Sequence, residues 1–113
     1  MIHIIHNPKC SKSRDGLKFL QDHSIDYQII AYLDNPLSKD EIKELLKKLD
    51  IAPIDLVRKN EEIWKENFKK RTLTDEQIIE AMAKYPKLIE RPIFINGNKA
   101  VIGRPTENIE KIL

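Results

Sequence analysis

The only cysteine of this 113-residue chain, Cys10, stands in the run His6-Asn7-Pro8-Lys9-Cys10-Ser11-Lys12-Ser13-Arg14. The apolar stretch Ile2-His3-Ile4-Ile5 leads into it, and Leu17 and Leu20, at helical spacing, lead out. That order predicts a strand, a tight Asn-Pro turn and a helix N-terminus, with the thiol at the junction. Unbonded amide N–H groups and the positive end of a helix dipole stabilise an anion in such a place. Lys9, Lys12 and Arg14 add positive charge nearby. A thiol so placed should ionise below the ordinary cysteine value of about 8.5 and react as a thiolate near neutrality. A lone cysteine can instead be a small buried hydrophobe, but the setting of Cys10 argues for reactivity.

Arginines are scarce. Of the 20 lysines and arginines, only Arg14, Arg58, Arg71, Arg91 and Arg104 are arginine. Lysine therefore serves as the general solubilising charge, and each arginine calls for its own reason. Arg58 ends a short predicted helix, Arg91 precedes Pro92 at the entry to a predicted strand, and Arg104 follows Gly103 between the last strand and the last helix. All three fall at ends of elements, from which they can converge on the Cys10 loop. A planar guanidinium fork suits bidentate binding of a tetrahedral oxyanion better than an ammonium does; scattered surface arginines in weak ion pairs are the competing reading. His6 either holds the loop through a backbone bond or, when protonated, favours the thiolate. His3 and His23 have no partners at metal-ligand spacing, so no metal site is expected.

These side chains need a scaffold. Residues 2–6 alternate little between apolar and polar and read as a strand buried on both faces. A helix is predicted over 12–23 and a second strand over 27–33, which together make a βαβ unit with parallel strands. Ser38 with Glu41, followed by Ile42, Leu45, Leu46 and Leu49, signals a capped helix. Pro53 suits a short helix through Val57, Trp64 lies in another short piece over 61–67, and Thr74 with Gln77 caps a helix ending before Pro86. In the last third the period changes. Residues 92–95 and 99–102 flank Asn96-Gly97-Asn98, a hairpin signal, and a final helix runs from Pro105. The order β-α-β, helical block, β-β-α predicts an α/β, thioredoxin-like fold with a small mixed sheet and inserted helices. In such a fold the strand-opening proline, here Pro92, faces the active-site loop, usually after a cis bond.

Composition narrows the classes. A formal charge of +2 with 34% charged residues leaves no basic excess for nucleic acid. No run of 18 apolar residues exists to span a membrane, and the four-residue apolar start followed by His-Asn-Pro is no signal peptide. One cysteine cannot form an internal disulfide, which together with a reactive thiol points to a reducing, cytoplasmic setting. With 41% hydrophobic residues and no linker or repeat, residues 1–113 are expected to form a single domain.

Taken together, these residues make the chain resemble the glutaredoxin-coupled arsenate reductase family, the ArsC type. The likeness rests on His-Asn-Pro-x-Cys-x-x-Ser-Arg at 6–14, Tyr-Leu-x-x-Pro at 32–36, Leu-x-Arg-Lys-Asn at 56–60, Arg-Pro-Ile at 91–93 and Gly-Arg-Pro at 103–105. The resemblance implies that Cys10 is the nucleophile and His6 helps tune it. It also implies that Arg58, Arg91 and Arg104 bind the oxyanion, while Ser13, Arg14 and Pro92 support the loop. It further implies reduction of arsenate or a similar oxyanion through a covalent cysteine adduct resolved by glutathione and glutaredoxin, with no bound cofactor or metal, in a monomer. Ser11-Lys12-Ser13 after the cysteine, and a chain that stops just after the last helix, resemble a short subgroup of that family. Two alternatives share the fold. One is a glutathione-linked Cys-x-x-Ser oxidoreductase. The other is an Spx-like regulator that binds RNA polymerase, although such regulators usually carry a cysteine where Ser13 stands.

Overall fold

The computed structural model describes every residue from Met1 to Leu113. Along the chain run β1 (Ile2–Ile5), α1 (Ser11–Asp22), β2 (Tyr27–Ile30), α2 (Lys39–Leu49), α3 (Glu62–Asn67), α4 (Asp75–Lys84), β3 (Ile93–Asn96) and β4 (Lys99–Ile102). Short 3₁₀ turns occupy Pro53–Leu56, Pro86–Leu88 and Thr106–Lys111. This is the predicted element order, and the sheet is mixed as expected. Two compact units arise, one from residues 1–34 and 91–113, the other from residues 35–90.

The first unit is the sheet with α1. Its strand order is β2-β1-β3-β4, with β1 parallel to β2 and antiparallel to β3, and β3 antiparallel to β4. An internal strand with neighbours on both sides should be apolar on both faces, and Ile4 and Ile5 are both fully buried. On one face Ile2, Ile4 and Phe94 pack with Leu20 of α1 and with Ile109 and Ile112 of the last turn. That last segment is 3₁₀ rather than the α-helix its sequence suggests. In a 3₁₀ turn, residues three apart stack on one side, which delivers Ile109 and Ile112 together to the core.

Two other boundaries differ from the sequence pattern. β2 stops at Ile30 instead of Leu33 because its partner β1 ends at Ile5, opposite Ile30, and the Asp34 N–H then turns back to the Ala31 carbonyl at 3.1 Å. In the hairpin Asn96 pairs with Lys99, so the turn is Gly97-Asn98. Gly97 has φ +63° and Asn98 is not positive, which is the type II′ arrangement with glycine first.

The second unit is helical. Ser38 and Thr74 each form a full capping box, with Glu41 and Gln77. Ile42, Leu45 and Leu46 of α2 and Ile78, Ile79 and Met82 of α4 are buried, and the two helices pack together. Lys39 ties them on the outside, 3.2 Å from both Glu76 and Glu80. No helix is long and apolar enough to cross a membrane.

Two glycines decide how closely α1 and the β4 exit approach β3. A Cβ on Gly16 would lie 2.9 Å from Pro92 Cγ and 3.0 Å from Phe94 Cζ, and one on Gly103 would lie 2.6 Å from Phe94 Cε2. In an exposed helix interior, glycine to alanine gains about 1 kcal/mol. Here the clash with a proline ring and a buried aromatic ring outweighs that gain, because overpacking a filled core costs about 1–3 kcal/mol. Gly16→Ala is therefore expected to lower the urea midpoint, a net loss of up to about 2 kcal/mol; a raised midpoint would show that the contact is loose.

Candidate active site

Cys10 is the N-cap of α1, with extended backbone (φ −97°, ψ 123°). At an N-cap a side-chain acceptor faces the N–H groups two and three residues on, here those of Lys12 and Ser13. The sulfur makes no capping hydrogen bond of regular geometry. Both N–H groups nonetheless lie close enough to favour its negative charge. The loop before it is built to hold this position. The Cys10 N–H reaches the Asn7 carbonyl at 3.0 Å, and Asn7 Oδ1 accepts from the Lys9 N–H at 3.0 Å, an Asx-type turn.

Ser13 locks the loop to the helix. Its Oγ accepts the Asn7 N–H at 2.9 Å and pairs with His6 Nδ1 at 2.7 Å, and the residue is wholly buried. His6 is buried as well, and its pKa is lowered. Burial is the main cause, assisted by the Arg14 charge and opposed by the Ser13 backbone. Of the two roles open to His6, the geometry is that of a neutral ring bracing the loop through Ser13. Arg14 braces it from the outside, its guanidinium donating to the Pro8 carbonyl at 3.0 Å.

Two of the three predicted oxyanion arginines meet at the sulfur. Arg104 NH2 lies 3.5 Å from Cys10 Sγ, and Arg104 Nε donates to the Arg91 carbonyl at 2.8 Å. The Arg91 guanidinium also lies close enough to the sulfur to favour its negative charge; Arg91 is only 8% exposed. Burial, the largest single influence, pushes the thiol up, but the Ser13 N–H, the Arg91 guanidinium and the Lys12 N–H together overcome it. The net shift is downward. The Arg91-Pro92 bond is cis, as predicted, and so is Arg104-Pro105, for which nothing in the sequence gave a signal.

Arg58 belongs to the second unit. Its N–H bonds the Leu88 carbonyl at 2.7 Å, and the Glu90 N–H bonds the Leu56 carbonyl at 2.9 Å. This short antiparallel bridge, centred on Val57 and Ile89, sets the Arg58 and Glu90 side chains together at 3.7 Å, with Glu61 also 3.7 Å from Arg58. Sequence spacing did not reveal these two carboxylates. It also missed Gly16 and Gly103, whose need appears only when neighbours in space are known. No group of three or more His, Cys, Asp or Glu side chains is placed to hold a metal ion.

Two pH experiments follow. Thiolate alkylation of Cys10 should reach half its maximal rate below the ordinary pH of about 8.5, and Arg91→Gln should move that midpoint upward. A wild-type midpoint at or above 8.5 would contradict the electrostatic account. For His6 the folded state holds its proton less tightly than the unfolded chain, so unfolding takes up a proton in acid. Its contribution to stability is complete above about pH 6.5 and is lost as pH falls through the lower folded value. His6→Gln should flatten the stability profile in that window, as read by urea denaturation; an unchanged slope would mean that His6 is not the group responsible.

The chain is similar along nearly its whole length to known proteins. A profile described as the ArsC family matches residues 5–112. An arsenate reductase of Neisseria meningitidis is 39% identical over 114 residues, covering 99% of this chain and 97% of that protein. An arsenate reductase of Escherichia coli is 36% identical, covering 99% of this chain and 80% of that protein. The solved structure of an arsenate reductase from Vibrio cholerae superposes with a TM-score of 0.93 at 42% identity, covering 99% of this chain and 97% of that one. Matched from the end of its first strand to its last turn, the chain belongs to the ArsC family.

Proposed function

We propose that this protein reduces arsenate, or an oxyanion of the same shape, through a covalent adduct on Cys10. One observation carries the reading: a thiol whose ionisation is favoured faces two guanidinium groups, one of them 3.5 Å from Sγ. Two arginines offset the charge of an anion approaching a thiolate and stabilise the negative charge of the transition state. Full-length likeness to proteins named as arsenate reductases supports the same chemistry.

In the proposed cycle the Cys10 thiolate attacks arsenic, an As–S bond forms, and hydroxide leaves with a proton as water. The chain has no second cysteine, so an external thiolate attacks Cys10 Sγ. An S–S bond forms, arsenic keeps the electron pair of the broken S–As bond, and arsenite departs. A further thiol attacks the mixed disulfide and returns Cys10. Family resemblance supplies glutathione and then glutaredoxin for these two thiols, in the cytoplasm and without a bound cofactor, the chain acting as a monomer and a single domain. Arg58 joins the anion-binding set on its Leu-x-Arg-Lys-Asn motif, and its test is kinetic.

Arsenate-dependent oxidation of glutathione, with glutaredoxin present, tests the cycle. Cys10→Ser should abolish it, and Arg104→Ala and Arg58→Ala should each raise KM for arsenate about tenfold or more, the size of a lost hydrogen bond to a charged group. Disulfide exchange without any arsenate-dependent turnover would overturn the reading in favour of a glutathione-linked oxidoreductase.

A further inference from the structure

A cavity of about 540 Å³ opens in the second unit, where α3 ends and α4 begins. Its volume falls within the ~300–1,000 Å³ of small-ligand sites. The chain winds tightly there. The Trp64 carbonyl accepts both the Phe68 and the Lys69 N–H at 2.9 Å, and the Arg71 N–H reaches the Phe68 carbonyl at 3.0 Å. One short turn therefore supplies aromatic and cationic lining together. The Trp64 and Phe68 rings stack with centroids 5.4 Å apart, and the Arg71 guanidinium lies 5.9 Å over the Phe68 ring. Buried Ile78 of α4 adds to the apolar lining.

The charge around this cavity is one-sided: Lys59, Lys69 and Arg71 against the single carboxylate of Asp75. Elsewhere in the unit Lys39, Lys43 and Lys47 are paired with glutamates. Lys59, Lys69 and Arg71 have no carboxylate partner. Three cations around apolar walls repel one another, and such walls focus their field on an anion inside. The lining includes no hydroxyl or amide side chain to hold a ribose or read a base edge. We infer that this cavity binds an aromatic acid, its planar ring system against Trp64 and Phe68 and its anionic group toward Lys59, Lys69 and Arg71. The site uses none of the residues assigned to the Cys10 chemistry, so it stands apart from that reading.

Trp64 is the chain's only tryptophan, so its emission reports on what enters the cavity. Anilinonaphthalene sulfonate, an aromatic anion that accepts energy from tryptophan, is titrated into the native protein. It should bind saturably at one site and quench Trp64. Lys69→Gln and Arg71→Gln should each weaken it about threefold, the scale of an exposed ion pair, and Asp75→Asn should tighten it. Lys99→Gln, the same loss of charge on β4 in the other unit, should leave the affinity unchanged. Phenylnaphthylamine, the same rings without the sulfonate, should be indifferent to all four substitutions, which a collapsed cavity would not allow. Naphthoate should displace the dye, and adenosine monophosphate should not. No saturable quenching of Trp64, equal weakening by Lys99→Gln, parallel loss of phenylnaphthylamine binding, or displacement by adenosine monophosphate would each overturn the site.

Discussion

The site depends on one hydrogen bond, from Arg104 Nε to the carbonyl of Arg91 at 2.8 Å. A free arginine side chain has many rotamers, and holding it against a thiol costs entropy of about 2 kcal/mol. Tying one N–H to a backbone carbonyl fixes the plane of the guanidinium, and its NH2 is then aimed at Cys10 Sγ. The carbonyl that does this belongs to the other arginine at the sulfur. The backbone that carries Arg91 thereby also places the Arg104 guanidinium, at the point where β3 is about to begin.

That stretch is in turn held by the packing of the sheet unit. β3 is an inner strand, between β1 and β4, and the Gly103 N–H bonds the Pro92 carbonyl at 2.8 Å. The β4 exit is thus fastened beside the β3 entry, which brings residues 91 and 104 together. From the other side, Gly16 lets α1 lie against Pro92 and Phe94, so the helix that presents Cys10 at its N-terminus touches the same proline. Ser13, the third residue of that helix, bonds both His6 and the Asn7 N–H and joins the helix start to the end of β1. Strand end, helix start and strand entry are one packed assembly, and the electrostatics of the thiol follow from it.

Much of this was legible in the residues. Local signals, set by covalent structure, read true: both capping boxes, the apolar run of β1, the helix start at Cys10, and the change of period before the hairpin. Arg58, Arg91 and Arg104 were legible together as three arginines at ends of elements, and the structure sets Arg104 Nε on the Arg91 carbonyl. What sequence could not show were properties of neighbours in space. The length of β2 is set by where β1 ends. The turn of the hairpin slipped by one residue because the strand register chose Gly97 as the first central residue. Gly16 and Gly103 read as ordinary glycines until Phe94 is seen between them, and the carboxylates beside Arg58 come from a bridge between residues 57 and 89 that no short-range pattern encodes.

The central claim is that Arg91 and Arg104 make the space over Cys10 Sγ an anion site. Its most direct test is protection of the thiol. Wild-type protein is alkylated with uncharged iodoacetamide at fixed pH and ionic strength while sulfate, a tetrahedral dianion that the thiol does not reduce, is titrated in against chloride. The account predicts saturable slowing of alkylation, with that protection greatly weakened in Arg104→Gln. Alkylation that is indifferent to sulfate, or protection that survives intact in Arg104→Gln, would contradict it.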